Sequence, residues 1–142
     1  MIMRAIGLDL GSKRIGVAVS DSGGVLATPI DTVERNDVRA DHERIAGLVE
    51  EWEAEIVVVG LPYSLDGGTG PAAQKALAEI AQLGDTLTVP VVPYDERLTT
   101  VTAERNLMQQ GMTGVARRAV VDQVAASVIL QSWLDAGCPG GR

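Results

Sequence analysis

The sequence predicts an α/β domain on a five-stranded mixed sheet flanked by helices, antiparallel in its first half and parallel in its second. Three observations predict it. Apolar β-like runs at 4–10 and 14–20 are joined by the Gly11-Ser12-Lys13-Arg14 turn, the pattern of a hairpin. Downstream, stretches with helical spacing alternate with β-branched runs, and such alternation builds parallel strands through helical crossovers. The 142 residues suffice for one sizeable core.

Taken in order, "VLATPIDTVE" (25–34) reads as a third strand, and Pro29 argues for an edge position or a bulge. Asn36 or Asp37 is placed to cap a helix over 38–53, in which Ile45, Leu48, Val49 and Trp52 recur at a spacing near 3.6. "AEIVVVGLP" (54–62) is the continuous run of a strand covered on both faces. The segment 63–70 reads as a loop and 71–84 as a helix opening with Pro71. "LTVPVVPYDE" (87–96) is a further strand, and helices near 99–110 and over 115–135 complete the pattern. Residues 1–136 are expected to form a single domain and 137–142 a flexible tail.

Composition narrows the functions. Hydrophobic residues make up 46% and charged residues 22%, a globular balance. No apolar run approaches the roughly 18–20 residues that span a bilayer, so no membrane partner is expected. The opening residues lack the pattern of a signal peptide, and the lone Cys138 allows no intrachain disulfide; a reducing cytoplasm fits. The net charge of −7 argues against a protein that coats nucleic acid by electrostatics alone. It leaves room for a metal-dependent nuclease, whose clustered carboxylates count as negative until cations bind them. With 3% aromatic residues and no Phe, a base-stacking platform is not expected. Trp52, Trp133 and Tyr94 read as core, while Tyr63, in the loop, could stack on a base.

Asp9 raises the functional question. It sits inside an apolar strand, where a carboxylate is costly unless something positive meets it. Ligands in such sheets gather at the carboxyl ends of the strands, a rule that puts Asp9, Gly60 with Leu61, and Asp95 with Glu96 on one rim. The acids of "YDERLTT" also have a plain explanation, with Thr99 or Thr100 capping a helix and Asp95 or Glu96 near its positive end. Asp122 lies off the polar stripe Gln123, Ser127, Gln131 of its helix, which reads as solvent-facing. It needs either a salt bridge to Arg117 or Arg118, a place in the first turns of its helix, or a ligand. Three acids at close quarters repel unless dications bind them, and hard oxygen donors point to Mg²⁺ or Mn²⁺ rather than zinc. His42, in the polar "RADHERIAG", reads as a solvated helix-face residue.

Four segments in order carry a resemblance: "GLDLGSKRIGVAVSD" (7–21), "VVGLPYSLDGG" (59–68), "YDERLTT" (94–100) and "RRAVVDQVAASVILQSWL" (117–134). Over nearly its whole length the chain resembles the YqgF family, bacterial proteins related to RuvC-type Holliday junction resolvases, with an RNase H-like fold. The resemblance implies that Asp9, Glu96 and Asp122 are the family's acidic triad, catalytic and metal-binding. It further implies nuclease chemistry with Mg²⁺ or Mn²⁺, usually in maturing the 5′ end of 16S ribosomal RNA. The family commonly has Lys near positions 117 and 118, where this chain has two arginines, preserving the charge.

On that reading, two dications about 4 Å apart would clamp the attacking and leaving oxygens of a phosphodiester. Asp9 would bridge both metals, with Glu96 and Asp122 each completing one shell. Lys13, Arg14, Arg97, Arg117 and Arg118 are candidates to hold substrate phosphates, against the plain alternative of solvated surface charge. The Gly-rich loop 60–70 would let backbone approach a ligand, and it lacks the Gly-Lys-Ser/Thr of a Walker loop. The partner is nucleic acid, either pre-rRNA or branched DNA, bound by a monomer or, for a two-fold DNA junction, a homodimer. Two other classes remain as alternatives: a kinase of the actin-like ATPase superfamily, which needs two such domains, and a noncatalytic nucleic-acid-binding module, in which the acids are generally eroded.

Overall fold

The computed structural model describes residues 4–61, 70–95 and 114–138, and of residues 114–120 the helical backbone alone. Strands β1 (Ala5–Leu10) and β2 (Arg14–Ser20) form the expected antiparallel hairpin, with Asp9 opposite Gly16. Strand β3 (Ala27–Glu34) pairs antiparallel with β2. Strands β4 (Ile56–Leu61) and β5 (Val91–Asp95) then add in parallel, giving one five-stranded sheet in the order β3-β2-β1-β4-β5. Helices α1 (Val38–Glu51), α2 (Pro71–Thr86) and α3 (Gly114–Asp135) flank it. The helix expected near 99–110 lies outside the described residues.

Local chemistry sets the boundaries. Asp37, rather than Asn36, caps α1, its carboxylate accepting from the Ala40 backbone N–H at 2.9 Å. The prolines fall where a missing N–H costs least: Pro29 on edge strand β3 beside a register shift at Val17/Ala18, and Pro93 on edge strand β5. Strand β3 begins two residues later than expected because Asp21 Oδ1 accepts from the N–H groups of Val25 and Leu26, closing that stretch into a turn. Strand β5 begins four residues later than expected: α2 runs on to Thr86, and the Leu87 N–H still donates to Leu83. At the end of α3, Gly137 adopts φ +88°, its N–H donating to Leu134 and that of Cys138 to Trp133. These are the two bonds of a left-handed helix cap.

The sheet is covered on both faces. Ile6, Leu8, Ile15, Val17, Val57 and Val59 pack beneath α1 and α2. Ala5, Ala18, Ile56 and Val58 meet Ala126, Ile129, Leu130 and Trp133 of α3 on the other. Small residues on that second face bring α3 close. A Cβ on Gly7 would lie 2.7 Å from Leu130 Cβ, and one on Gly16 only 1.9 Å from the Asp122 carbonyl oxygen.

The expected solvent stripe on α3 is not fully exposed: Gln123, Ser127 and Gln131 are all half-buried. The Gln131 carbonyl accepts from Ala27 N–H and its amide donates to the Val25 carbonyl, so it ties α3 to the start of β3.

Two glycines make opposite predictions. Gly16→Ala forces α3 away from β2 and is expected to cost about 3 kcal/mol or more, read by urea denaturation. Gly47→Ala, on the exposed side of α1 with nothing within 4 Å of its Cβ position, is expected to stabilise by about 0.5–1 kcal/mol.

Candidate active site

The carboxyl ends of β1, β4 and β5 share one rim, as parallel strands require. Asp9 is at this rim, 6% exposed, and alternation along β1 puts it on the α3 face with Ala5 and Gly7. Its lateral neighbours are both glycines. Gly16 pairs with it on β2, and Gly60 lies two residues beyond the Gly7–Val58 pair on β4. The α3 backbone at Asp122 rests where a Gly16 side chain would be, so Asp122 comes to Asp9 across a single cross-strand pair.

Arg14, two residues before Gly16 on the same face of β2, donates from Nε to Asp122 Oδ2 at 2.9 Å. Asp122 is thus salt-bridged to Arg14, a partner other than the Arg117 or Arg118 weighed from the sequence. Those two arginines lie in α3, their side chains outside the description, while Glu96, Arg97 and residues 62–69, Tyr63 among them, lie outside the described residues altogether. Lys13 is exposed in the turn. Tyr94, at the end of β5, is buried against α3 with its hydroxyl 3.0 Å from Ser132 Oγ. Thus Asp122 and Arg14 are joined next to Gly16, the cross-strand partner of Asp9, and Lys13 precedes Arg14 in the turn.

Oxygen donors of this kind suit a hard dication. Among the described residues no three His, Cys, Asp or Glu side chains gather into a metal-binding group.

On the opposite face the structure corrects one expectation. His42 is 2% exposed, its Nε2 lying 2.8 Å from Glu79 Oε2. Arg35 grips the same carboxylate with both terminal nitrogens, at 2.6 and 2.9 Å, and Asp41 lies 3.6 Å from it. The spacing of α1 carried the signal: positions 41 and 42 continue the buried stripe of Ile45, Leu48 and Val49 backward by one turn. Burial by itself would raise the Glu79 carboxyl, but the hydrogen bonds from Arg35 and His42 outweigh it and hold Glu79 below its ordinary value of 4.5. The Glu79 fork in turn raises Arg35 above its ordinary value.

A family model described as "RuvX: Holliday junction resolvase" matches residues 3–136. The chain belongs to the RuvX family. Relatives described as "Putative pre-16S rRNA nuclease" include one from Mycobacterium sp. (strain KMS), 53% identical over 93% of this chain and 79% of its own length. Another, from Thermoanaerobacter pseudethanolicus, is 40% identical over 94% of this chain and 96% of its own. Among solved structures, Thermus thermophilus RuvC in complex with a Holliday junction substrate aligns with TM-score 0.58 at 16% identity, covering 96% of this chain and 97% of that one. The fowlpox virus Holliday junction resolvase aligns at 0.54 with 13% identity, covering 94% and 99%. The RuvX chain therefore has the RuvC-like, RNase H-like fold that the resemblance implied.

Because the folded pKa of Glu79 is depressed, its contribution is complete above the unfolded value near 4.5 and is lost as pH falls through the folded value. Glu79→Gln is expected to cost about 3 kcal/mol at neutral pH by leaving Arg35 unpaired. In urea titrations the gap to wild type should close as pH falls below the ordinary carboxyl value near 4.5 and through the lower folded value.

Proposed function

We propose that this protein is a metal-dependent nuclease that hydrolyses phosphodiester bonds of RNA, acting in 5′-end maturation of pre-16S rRNA. The observation that carries the nuclease reading is the Asp122 backbone resting on Gly16, the cross-strand partner of the buried Asp9. Support for RNA comes from relatives at 40–53% identity that bear the pre-16S rRNA nuclease description. The family description favours a second reading, a Holliday junction resolvase acting on branched DNA.

In this reading Asp9, Asp122 and Glu96 hold Mg²⁺ or Mn²⁺. The bound ions supply an activated water and neutralise the leaving oxygen. The chain's own groups do the rest. Arg14 fixes the Asp122 carboxylate through one oxygen and leaves the other to a ligand. Lys13, exposed in the turn, holds a substrate phosphate, with Arg97, Arg117 and Arg118 as further phosphate contacts. A dication and these cations together offset the acidity of the rim and allow a polyanion to approach. We place this chemistry in the cytoplasm, where pre-rRNA is processed.

Three outcomes are expected. Asp9→Asn and Asp122→Asn should each abolish cleavage of a labelled pre-16S 5′ leader. Both should also lose most of the rise in melting temperature that millimolar Mn²⁺ gives the wild type by mass action. A wild type that cuts a four-way DNA junction and spares the leader would decide for the resolvase. Lys13→Ala should weaken RNA binding and lower its salt slope by about 1, read by fluorescence anisotropy across a salt series.

A further inference from the structure

The turn between β1 and β2 is held from outside itself. Leu10, Gly11 and Ser12 line an open cleft of about 480 Å³ with Arg35 and Glu79, so the turn is not clamped by core packing on that side. Arg35 spans the gap. Its Nε donates to the Gly11 carbonyl at 3.0 Å, and its backbone N–H donates to the Lys13 carbonyl at 2.9 Å. Its terminal nitrogens are occupied by Glu79, and Glu79 is fixed in turn by the buried His42. Gly11 N–H donates to the carbonyl of Asp9 at 3.1 Å, so the braced turn starts from the proposed catalytic residue.

We propose that Arg35 is a positioning residue: anchored on Glu79 from the far side of the sheet, it fixes the Gly11–Lys13 turn so that Lys13 meets the substrate phosphate. The proposal rests on the reading of Lys13 as a phosphate contact. The guanidinium suits the role because its rigid fork serves three acceptor atoms at once, two on Glu79 and one on Gly11. A lysine would keep the charge but place one ammonium where three fixed directions are needed. The side chain is only 17% exposed, and the Glu79 fork already occupies its terminal nitrogens. Arg35 therefore acts through the turn.

The test measures anisotropy of fluorescein-labelled single-stranded RNA across a salt series, with Arg35→Lys, Lys13→Ala and the double variant, well below their melting temperatures. Arg35→Lys should weaken binding about tenfold, the scale of one charge-assisted contact, and lower the salt slope by about 1 although no charge has been removed. In the Lys13→Ala background it should add no further loss. Glu79→Gln serves as a second variant should Arg35→Lys fail to fold, with the same expectation, because it loosens the anchor and leaves Arg35 in place. Wild-type affinity in Arg35→Lys or Glu79→Gln while Lys13→Ala binds weakly overturns the brace and leaves the phosphate contact standing. Losses that add in the double variant also overturn it, since they show a role independent of Lys13. A Lys13→Ala protein that binds as tightly as wild type overturns the phosphate-holding reading itself, and the brace with it.

Discussion

The missing side chain at Gly16 governs the geometry of the rim. A long helix normally rides well above a sheet on the side chains of both, yet here the Asp122 carbonyl lies where the first side-chain carbon of Gly16 would stand. The same closeness recurs at Gly7 beneath Leu130, and Ala5 and Ala18 continue the small-residue track. At the other end, Tyr94 meets Ser132 through its hydroxyl. The depth of α3 sets where Asp122 stands relative to Asp9. One methyl group at position 16 would change that distance more than most substitutions of surface charge.

The two faces of the sheet divide the work. The α3 face brings Asp122 and Arg14 together beside the strand pair that carries Asp9. On the face of α1 and α2, the ion network of Arg35, Asp41, His42 and Glu79 is mostly sheltered from water. Such a network is a weak source of net stability, because desolvating its charges costs much of what their attraction returns. What it supplies is direction. Arg35 can satisfy Glu79 and the Gly11 carbonyl together in one orientation only, and that orientation fixes the exit of β1.

Much of the fold was legible in the sequence because its signals are local. The hairpin, a helix cap at Asn36 or Asp37, the edge or bulge position of Pro29 and Asp9 at a strand end all rest on neighbours within a few residues. Legibility faded where a feature depends on distant partners. Arg14 and Asp122 stand 108 positions apart, so the sequence showed two charged residues without their pairing. His42 misled because its neighbours are polar; only the phase of its helix, counted back from Ile45, shows that it faces inward. Arg35 gave no signal at all, since neither its spacing nor its neighbours announce a carbonyl 24 residues earlier as its target. The start of β5 was misjudged because Leu87 suits a strand and a helix cap equally, and α2 claimed it.

A chain of net charge −7 that acts on nucleic acid must repel its substrate at long range. At an ionic strength near 0.15 M that repulsion fades beyond about 8 Å, so approach is possible although nothing draws the substrate in from afar. Affinity then has to come from contacts made inside that distance, which in the proposed reading are a bound dication and a few cationic side chains at the rim. Contacts so few cannot be averaged over a broad basic surface, and each must be held in place. A displacement of 1 Å at Lys13 would matter little to a protein coated in lysines, yet on the proposed reading it removes a large part of the local attraction here. Under this constraint the acidic chain needs a rigid turn. That explains why an arginine fork, costly to bury and bound to a carboxylate on another helix, is spent on a backbone carbonyl two residues from Asp9.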